Sequence, residues 1–464
     1  MNTEFDVIII GGGPSGAICG TMLARSGHLV LLLEQEKFPR FHIGESLTTY
    51  ATDAFKTLGV YEELDEINYV KKRGLEFVLP DKSKKIFFAE RWRHDPNTIP
   101  WIFQMPRAKL DNVLLRNAER NGVTVREQHR VKEVLFVEDK AVGVSYRDLN
   151  PVTGNGELQH AYAPWTIDCS GQSGVLNKQL QNNVFDDILL DDKIAIYSHW
   201  QGNINIVNDE NELNFKLCVH PNLRDWCWYI PLDKNLVSLG VVIDRYSVKN
   251  RQQDLESLFY EYAREIPFIS SFLNNSTLER VEKFRGIKDF SYRSRQYYGK
   301  GWALAGDSAG FLDPIFSTGL QISFSTSFKL VELLDEMLKR KKMDYEALEA
   351  YETAVDRVYR LNSVLVYRFY ACGIDFEKME SAKYTLINTK WASLGHLWRF
   401  LRIGIKVIAH PKTQRRSWAR EVLFGDVKAG NLVAELFLVL ADNYEALNKE
   451  ALDKAATRTN FLDG

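Results

Sequence analysis

The sequence lacks the features that define several common classes of protein. Its five cysteines are scattered, and none of them forms a CxxC pair. We therefore expect neither a disulfide framework nor a zinc site. No run of about 18 apolar residues occurs, so we expect no membrane span. The first residues show no basic region followed by a small-residue cleavage site, which predicts a cytoplasmic protein without a signal peptide.

The charge of the chain is also nearly balanced. The formal net charge is -2, so no global basic field attracts nucleic acid. With 464 residues, 45% of them hydrophobic and 26% charged, the chain has the composition of a globular protein of one large or several ordinary domains. Aromatic residues make up 12%, which suits either a flat-ring ligand or a large core.

A glycine-rich turn near the N-terminus carries the first chemical signal. The apolar run at residues 5–10 predicts a parallel strand buried on both faces, and a helix from about Ser15 to Ser26 and a strand at 28–34 follow. The last residue of that second strand is Glu34. Such a turn lets a pyrophosphate approach the helix N-terminus, while the carboxylate accepts from a ribose hydroxyl. The candidate dinucleotide-binding residues are therefore Gly11, Gly13, Pro14, Ser15, Gly16 and Glu34.

Two later segments complete a pattern that favours FAD. A short apolar strand at 302–305 ends in Gly306 and Asp307, and the segment 166–171 contains Asp168 at a strand end. Both resemble the FAD fingerprints of the glutathione-reductase-type flavoprotein monooxygenases. For Asp307 alone, a helix N-cap would be an equally ordinary role. Arg107, at the start of a predicted helix, either lies near the flavin, as the resemblance implies, or is a surface residue.

Four further segments resemble the FADH2-dependent halogenases, a family within the FAD-dependent monooxygenase superfamily. They are the segments 41–47, 71–74, 226–231 and 313–319, and the resemblance spans residues 1 to about 325. Asp225 stands where that family usually has glycine before its Trp-x-Trp-x-Ile-Pro motif. The cofactor-binding residues that the resemblance implies are Arg40, Ile43, Gly44, Glu45, Ser46, Pro314, Gly319 and Leu320.

The same resemblance implies a reaction and roles for particular residues. Reduced FAD, O2 and halide yield hypohalous acid, and the amine of Lys72 binds that oxidant or forms a chloramine and directs it to the substrate. Burial would lower the pKa of this amine and help either role. Without the resemblance, Lys72 would be an ordinary solvated lysine in a Lys-Lys-Arg cluster.

The same resemblance also implies which residues contact halide, flavin and substrate. Ser317, Thr318 and Gly319 are expected to bind halide through backbone amides at a helix N-terminus. Trp226 and Trp228 are expected to shield the flavin, although core packing suits a Trp-x-Trp strand equally well. Phe316 stands where halogenases of tryptophan carry glutamate, so the chain resembles the halogenases of phenols and pyrroles, whose substrates are free or tethered to a carrier protein.

Partners and alternatives remain open at the level of sequence. No second dinucleotide fingerprint is visible for NAD(P)H, so we expect a separate flavin reductase to supply reduced FAD. The main alternatives are an FAD-dependent aromatic hydroxylase and a reductase of isoprenoid double bonds, which share the FAD fingerprints. A flavoprotein that binds FAD only for structure or sensing is a third.

The expected architecture is α/β, with a Rossmann-like FAD-binding domain, an inserted β-sheet substrate domain and a helical C-terminal region. The predicted limits are 1–75, 105–190 and 280–335 for the FAD-binding domain, 76–104 and 191–279 for the substrate domain, and 336–464 for the helical cap. Basic residues at 399–420 would suit an acidic carrier protein or a membrane face, but a solvated helix face is the more ordinary interpretation. His42 and His410 have no partner visible in the sequence.

Overall fold

The computed structural model describes most of residues 4–371. The residues inside that range that it does not describe are 49, 68–69, 73–74, 88–101, 151, 153, 155, 185–192, 205–213, 246–247, 249–252, 275–276 and 289. The predicted helical cap is therefore described only as far as residue 371. The basic segment 399–420 and His410 lie outside the described residues, as do Arg73 and Gly74 next to Lys72.

Strands and helices alternate along the first half of the chain, and helices dominate after residue 318. The strands are β1 (Val7–Ile10), β2 (Val30–Leu33), β3 (Val70–Lys72), β4 (Leu75–Val78), β5 (Lys84–Phe87), β6 (Ile102–Gln104), β7 (Thr124–Arg126), β8 (His129–Val137), β9 (Lys140–Asp148), β10 (Leu158–Tyr162), β11 (Trp165–Asp168), β12 (Asn183–Val184), β13 (Lys193–Gln201), β14 (Phe215–Val219), β15 (Trp226–Pro231), β16 (Leu236–Asp244), β17 (Glu279–Arg280), β18 (Arg285–Lys288), β19 (Tyr292–Ser294), β20 (Tyr298–Gly299), β21 (Trp302–Leu304) and β22 (Gly310–Phe311). The helices are α1 (Pro14–Arg25), α2 (Tyr50–Leu58), α3 (Tyr61–Glu66), α4 (Arg107–Arg120), α5 (Val175–Gln179), α6 (Leu255–Glu265), α7 (Pro267–Leu273), α8 (Gly319–Arg340) and α9 (Tyr345–Ala371). Short 3-10 turns span Gly171–Ser173 and Gly306–Ser308.

A six-stranded sheet in the order β20-β21-β11-β1-β2-β7 carries the predicted dinucleotide turn. All neighbours in it are parallel except β20 and β21. Strands β1 and β2 are apolar at every position and fully buried because helix α1 lies against α4 and α8 on one side and the hairpin of β8 and β9 contacts β11 on the other. The strand-turn-helix-strand opening predicted at residues 5–34 is confirmed, with α1 beginning at Pro14.

A second, larger sheet has the order β17-β13-β16-β15-β14-β4-β5, with β18 also paired to β13. It is antiparallel apart from the pairing of β14 with β4. Side chains of β15 alternate between its faces, so that Cys227 and Tyr229 pack under α6 and α7 while Trp226, Trp228 and Ile230 belong to the cluster on the opposite face. This alternation turns the Trp-x-Trp-x-Ile pattern towards one side of the sheet.

The strands of the two sheets can be compared with the domain limits expected from the sequence, and those limits stay a prediction. Strand β4 begins at Leu75 and belongs to the larger sheet, close to the limit drawn at residue 76. Strand β18 also belongs to that sheet because it pairs with β13, although the sequence places residues 280–335 in the FAD-binding domain. Helices α8 and α9 agree with the helical pattern predicted from about residue 320 onward. No helix among the described residues is long and apolar enough to cross a membrane.

Candidate active site

A cavity of about 1020 Å³ extends from the carboxyl ends of the parallel strands to the inner face of the larger sheet. Most of the residues singled out from the sequence line it. They are Gly11, Gly13, Pro14, Ser15, Glu34, Arg40, Ile43, Gly44, Glu45, Ser46, Arg107, Trp226, Trp228, Asp307, Pro314, Ser317, Gly319 and Leu320. The predicted residues outside this lining are Gly16, Lys72, Asp168, Gly306 and Thr318.

The dinucleotide end of the cavity is formed by the turn before α1. Gly13 is the N-cap of α1 and has no side-chain hydrogen bond, so the first N–H groups of the helix remain free for a ligand. A Cβ placed on Gly13 would meet only the Arg40 guanidinium, at 3.7 Å. Gly11 and Gly16 have a different function, because a Cβ on Gly16 would lie 2.0 Å from the Gly11 carbonyl oxygen. Gly16 therefore allows the turn to close, while Gly13 leaves open the space that a pyrophosphate needs.

Glu34 closes the same end of the cavity. Its Oε2 accepts from the N–H of Gly12 at 2.6 Å and its Oε1 accepts from the N–H of Glu36 at 2.8 Å. Burial raises the pKa of this carboxyl above its usual value. The carboxylate thus fixes the glycine turn and also faces the cavity, where the remaining lone pairs can accept from ribose hydroxyls.

Arg107 is buried at the start of α4 and is not a surface residue. It donates to both carboxylate oxygens of Asp111, at 2.6 and 2.9 Å, and to the carbonyl oxygen of Ile43 at 2.7 Å. Arg40 donates to the same Asp111 carboxylate at 3.0 Å. Although burial opposes it, the neighbouring Arg107 guanidinium holds the pKa of Asp111 below its usual range. Asp111, which the sequence reasoning missed, therefore anchors both arginines beside the loop at residues 41–47, named the flavin loop after its family resemblance. The i,i+4 spacing of Asp111 from Arg107 was the available signal.

Gly306, Asp307 and Asp168 lie where the parallel strands meet the second glycine-rich turn. Gly306 adopts a φ of 67° and a Cβ on it would meet the Ser15 hydroxyl at 2.1 Å. Asp307 lines the cavity, and burial raises its pKa to about 6. Asp168 accepts from the N–H groups of Ser170 and Leu176, at 2.9 and 2.8 Å, so its carboxylate holds the turn that begins α5. A direct contact of Asp168 with FAD stays a prediction.

Lys72 and the predicted halide turn are connected through Ser46. The Lys72 amine donates to the Ser46 hydroxyl at 2.6 Å, and the Ser317 hydroxyl donates to the same oxygen at 2.9 Å. Burial lowers the pKa of Lys72 to about 7. Thr318 is the N-cap of α8 and makes no side-chain capping bond, so the first N–H groups of α8 lack partners within the helix beside Ser317. An amine, two hydroxyls and a helix N-terminus thus meet at one place.

Trp226 and Trp228 form part of the cavity wall on the side of the larger sheet. The ring centroids of Trp226 and Trp228 lie 6.1 Å apart. The Trp226 indole N–H donates to the Tyr370 hydroxyl at 2.8 Å, and the Trp228 indole N–H donates to Ser238 at 3.1 Å. Gly240 on the neighbouring strand leaves room for Trp228, since a Cβ there would lie 2.1 Å from its ring. A glycine inside a strand was the sequence signal for this close approach, whereas nothing in the sequence pointed to Tyr370.

Comparison with known proteins identifies the family. The family model of the tryptophan halogenases matches residues 6–94 and 82–375, and the chain belongs to this family of FAD-dependent halogenases. A brominase of 1H-pyrrole-2-carbonyl bound to a peptidyl-carrier protein, from Pseudoalteromonas luteoviolacea, is 30% identical over 339 residues, which is 72% of this chain and 78% of that protein. The tryptophan 2-halogenase of Chondromyces crocatus is 28% identical over 78% of this chain and 67% of its own length.

Solved structures agree in fold. The myxobacterial chondrochloren halogenase CndH, described as a variant of the FAD-dependent halogenases, superposes with a TM-score of 0.71 at 27% identity, covering 95% of this chain and 98% of that chain. The expected α/β class with a Rossmann-like FAD-binding unit is therefore confirmed, as is the FADH2-dependent halogenase resemblance. The protein is an FAD-dependent oxidoreductase with halogenase activity towards aromatic substrates, and FAD and halide are its cofactor and co-substrate.

The residues of the cavity fit FAD. The open position at Gly13 and the free N-terminus of α1 suit the pyrophosphate, while Glu34 and Asp307 offer acceptors at the two ends where hydroxyls would lie. When bound in its reduced form, FAD would supply two electrons that reduce O2 to the oxidation level at which it oxidises halide to hypohalous acid.

Proposed function

We propose that this protein halogenates an electron-rich phenol or pyrrole, free or bound to a carrier protein, and that Lys72 is its catalytic residue. The observation that carries the proposal is the hydrogen-bonded link from Lys72 through Ser46 to Ser317. A buried amine with a pKa of about 7 can donate a hydrogen bond to hypohalous acid or take up its halogen. Ser317, Thr318 and Gly319 would hold halide beside it, and Trp226 and Trp228 would wall off the flavin.

Two relatives support the choice of substrate. The Pseudoalteromonas brominase and a chlorinase of Pseudomonas fluorescens, 27% identical over 75% of this chain, both act on pyrrole-2-carbonyl bound to a peptidyl-carrier protein. Phe316 supplies no carboxylate next to the halide turn, which suits a ring that loses its proton readily. The reduced flavin would come from a separate flavin reductase. The cytoplasmic location inferred from the sequence also stays a prediction.

The experiment that tests the proposal combines the purified protein with FAD, NADH, a flavin reductase, O2 and chloride or bromide. Monochlorodimedone or an electron-rich phenol traps the oxidised halogen, with catalase present and an enzyme-free control. We expect a halogenated product that depends on halide and is lost in Lys72→Ala, while FAD still binds. Lys339→Ala, which removes an exposed lysine of α8, is the matched control.

Two results would contradict this proposal. Halogenation that persists in Lys72→Ala would remove the assigned role of the lysine. Direct consumption of NADH by the protein without the reductase, with hydroxylated and not halogenated product, would instead favour an aromatic hydroxylase.

A further inference from the structure

The hydroxyl of Tyr370, near the end of α9, joins two parts of the cavity wall that are distant in sequence. It accepts a hydrogen bond from the indole N–H of Trp226 at 2.8 Å and donates one to the Oδ2 of Asp313 at 3.1 Å. Trp226 and Asp313 both line the cavity, whereas Tyr370 does not. One hydroxyl behind the wall therefore connects the tryptophans of β15 to the segment that begins at Asp313.

The other oxygen of Asp313 fixes the backbone that leads into the predicted halide turn. Its Oδ1 accepts from the N–H of Ile315 at 2.9 Å, and the N–H of Ser317 donates to the carbonyl oxygen of Pro314 at 3.1 Å. Ser317 has a φ of 56°, a left-handed conformation that is uncommon for a residue other than glycine and that its surroundings must hold. The Asp313 carboxylate thus links this strained segment to α9.

Apolar packing places α9 against the same two parts of the wall. Val366 belongs to the buried cluster that also contains Trp226 and Ile315, and Tyr370 packs against that cluster. The i,i+4 spacing puts Val366 and Tyr370 on one face of α9. The hydroxyl is therefore held in place by a packed helix face as well as by its two hydrogen bonds.

A buried lysine lies against the ring of Tyr370. The amine of Lys193 on β13 is 4.4 Å from the ring centroid and 3.8 Å from the Oδ2 of Asp244. A cation over an aromatic face attracts the ring. Burial and the neighbouring Asp313 carboxylate raise the pKa of Tyr370 well above its usual value. The phenol thus keeps its proton, which it donates in the hydrogen bond to Asp313.

The ionisation of Asp313 sets the conditions under which this bridge is complete. Burial raises the pKa of Asp313 to about 7, although the Ile315 N–H and the Lys193 ammonium lower it. At pH 8 most of the carboxylate is ionised and accepts from both of its partners. Measurements on the bridge therefore belong at pH 8.

The second tryptophan of the motif has a partner of the same kind in a different place. The indole N–H of Trp228 donates to the hydroxyl of Ser238 at 3.1 Å, and Ser238 lies on the adjacent strand β16. That bond stays within the larger sheet. Among the described residues, each indole thus has a hydroxyl partner, but only the partner of Trp226 leads on to the halide turn.

We propose that Tyr370 is a positioning residue that ties Trp226 to the segment 313–319, so that exclusion of water from the flavin and binding of halide depend on one hydroxyl. This inference rests on the proposed function, in which Trp226 walls off the flavin and residues 317–319 hold halide. Tyr370 touches neither reactant and acts through the two residues that it joins.

The yield of oxidised halogen is the quantity that this bridge protects. In the productive reaction, FADH2 + O2 + X− + H+ → FAD + HOX + H2O, the electrons of FADH2 and of halide reduce both oxygen atoms. Without halide oxidation the electrons of FADH2 leave as hydrogen peroxide, FADH2 + O2 → FAD + H2O2. Displacement of Trp226 and weaker halide binding would each favour the second reaction.

The experiment compares the wild type, Tyr370→Phe and Ser238→Ala at pH 8 and constant ionic strength. The Kd for bromide is measured on the FAD-loaded proteins from the flavin absorbance. Single turnovers without catalase, with protein in excess over reduced FAD, then give the hydrogen peroxide formed per oxidised bromine. Thermal unfolding and FAD titration report whether each variant is folded and loaded.

The two variants should differ in bromide binding. We expect Tyr370→Phe to raise the Kd for bromide about tenfold, the size of one lost hydrogen bond to a charged group, and to raise the share of peroxide. Ser238→Ala is the matched control, because it removes the partner of the other indole without touching the halide turn. Its Kd for bromide should equal that of the wild type.

Hydrogen exchange of the FAD-loaded wild type tests the link without any substitution. Bromide should slow amide exchange in the segment 313–319 and also at the end of α9 around Tyr370. Exchange at the start of the same helix, around the exposed Tyr345, should not change.

The outcomes separate the two proposals. If the wild type forms no oxidised halogen from bromide, the halogenase function fails. If it does, but a folded, FAD-loaded Tyr370→Phe variant keeps the wild-type Kd and peroxide share, the role of Tyr370 fails. Bromide protection confined to 313–319 in the wild type would overturn that role even if the variant does not fold. An equal rise of the Kd in Ser238→Ala would also overturn it, since the wall would then loosen without the bridge.

Discussion

The amine of Lys72 and the hydroxyl of Ser46 form a hydrogen bond of 2.6 Å that joins strand β3 to the flavin loop. The same hydroxyl oxygen accepts from Ser317 at 2.9 Å, so the Ser46 hydroxyl links the proposed catalytic amine to the proposed halide turn at residues 317–319. Lys72 also lies 5.6 Å from the ring centroid of Phe215, a residue of the cavity wall. Among the residues that the structure describes, no carboxylate accepts a hydrogen bond from Lys72, and a buried lysine in such surroundings is costly to keep charged, which explains its lowered pKa.

The depressed pKa of Lys72 predicts how stability depends on pH. The pKa is about 7 in the folded protein, against 10.5 for an unperturbed lysine. Between those values the unfolded chain binds a proton that the folded protein does not, so Lys72 makes the protein more stable as the pH rises through this window. The free energy of unfolding of the wild type, relative to Lys72→Met, should increase by up to about 1.4 kcal/mol per pH unit.

Urea unfolding of both proteins at pH 7, 8 and 9 measures this difference. Lys339→Met, at an exposed position, should show no such slope against the wild type. A difference between the wild type and Lys72→Met that does not change with pH would contradict the buried, neutral state of the amine.

Two glycines of the same turn should respond differently to alanine. In Gly16→Ala, the new Cβ would lie 2.0 Å from the Gly11 carbonyl oxygen, so backbone must move and the free energy of unfolding should fall by about 2 kcal/mol or more. In Gly13→Ala, the Cβ has space and the backbone, with φ -66° and ψ -177°, is an ordinary extended one. This variant should keep its stability but bind FAD at least about tenfold more weakly, a loss of about 1.4 kcal/mol.

Thermal unfolding of the FAD-free proteins and titration with FAD distinguish the two effects. Equal affinities of Gly13→Ala and the wild type would argue against an approach of the pyrophosphate to this glycine. A Gly16→Ala variant as stable as the wild type would show that the backbone of this turn can shift to accept the new Cβ, contrary to the prediction.

From the contacts of the Tyr370 hydroxyl we predict that α9 stabilises the site. It accepts from the indole N–H of Trp226 at 2.8 Å and donates to the Oδ2 of Asp313 at 3.1 Å. Tyr370→Phe removes the partner of the Trp226 indole N–H and of the Oδ2 of Asp313, which should lower the free energy of unfolding by about 2 kcal/mol. Tyr345→Phe, at the exposed start of the same helix, is the control and should change it little. Chemical denaturation followed by circular dichroism checks this, and equal stability of the two variants would exclude the bridging role.

Local patterns explain what could be predicted from the sequence. Continuous apolar runs predicted β1 and β2, and the glycines between them predicted the turn before α1, because each depends on neighbouring residues only. The break between α6 and α7 follows from Pro267, which begins a helix more readily than it continues one. The placement of β18 in the larger sheet was not predictable in this way, since its pairing with β13 joins distant parts of the chain.

The sequence by itself determined the family, the FAD-binding turns and the face of β15 on which its tryptophans lie, because motif spacing and strand alternation are local properties. Only the tertiary structure decided which groups meet: Asp111 between two arginines, His199 beside Glu45, and Tyr370 between Trp226 and Asp313. Apart from Arg107 and Asp111, which share α4, these contacts join residues from separate helices, strands and loops. Their geometry depends on how the two sheets and α9 pack. The same packing excludes water, and the resulting burial lowers the pKa of Lys72 and leaves one oxygen of Glu45 unpaired.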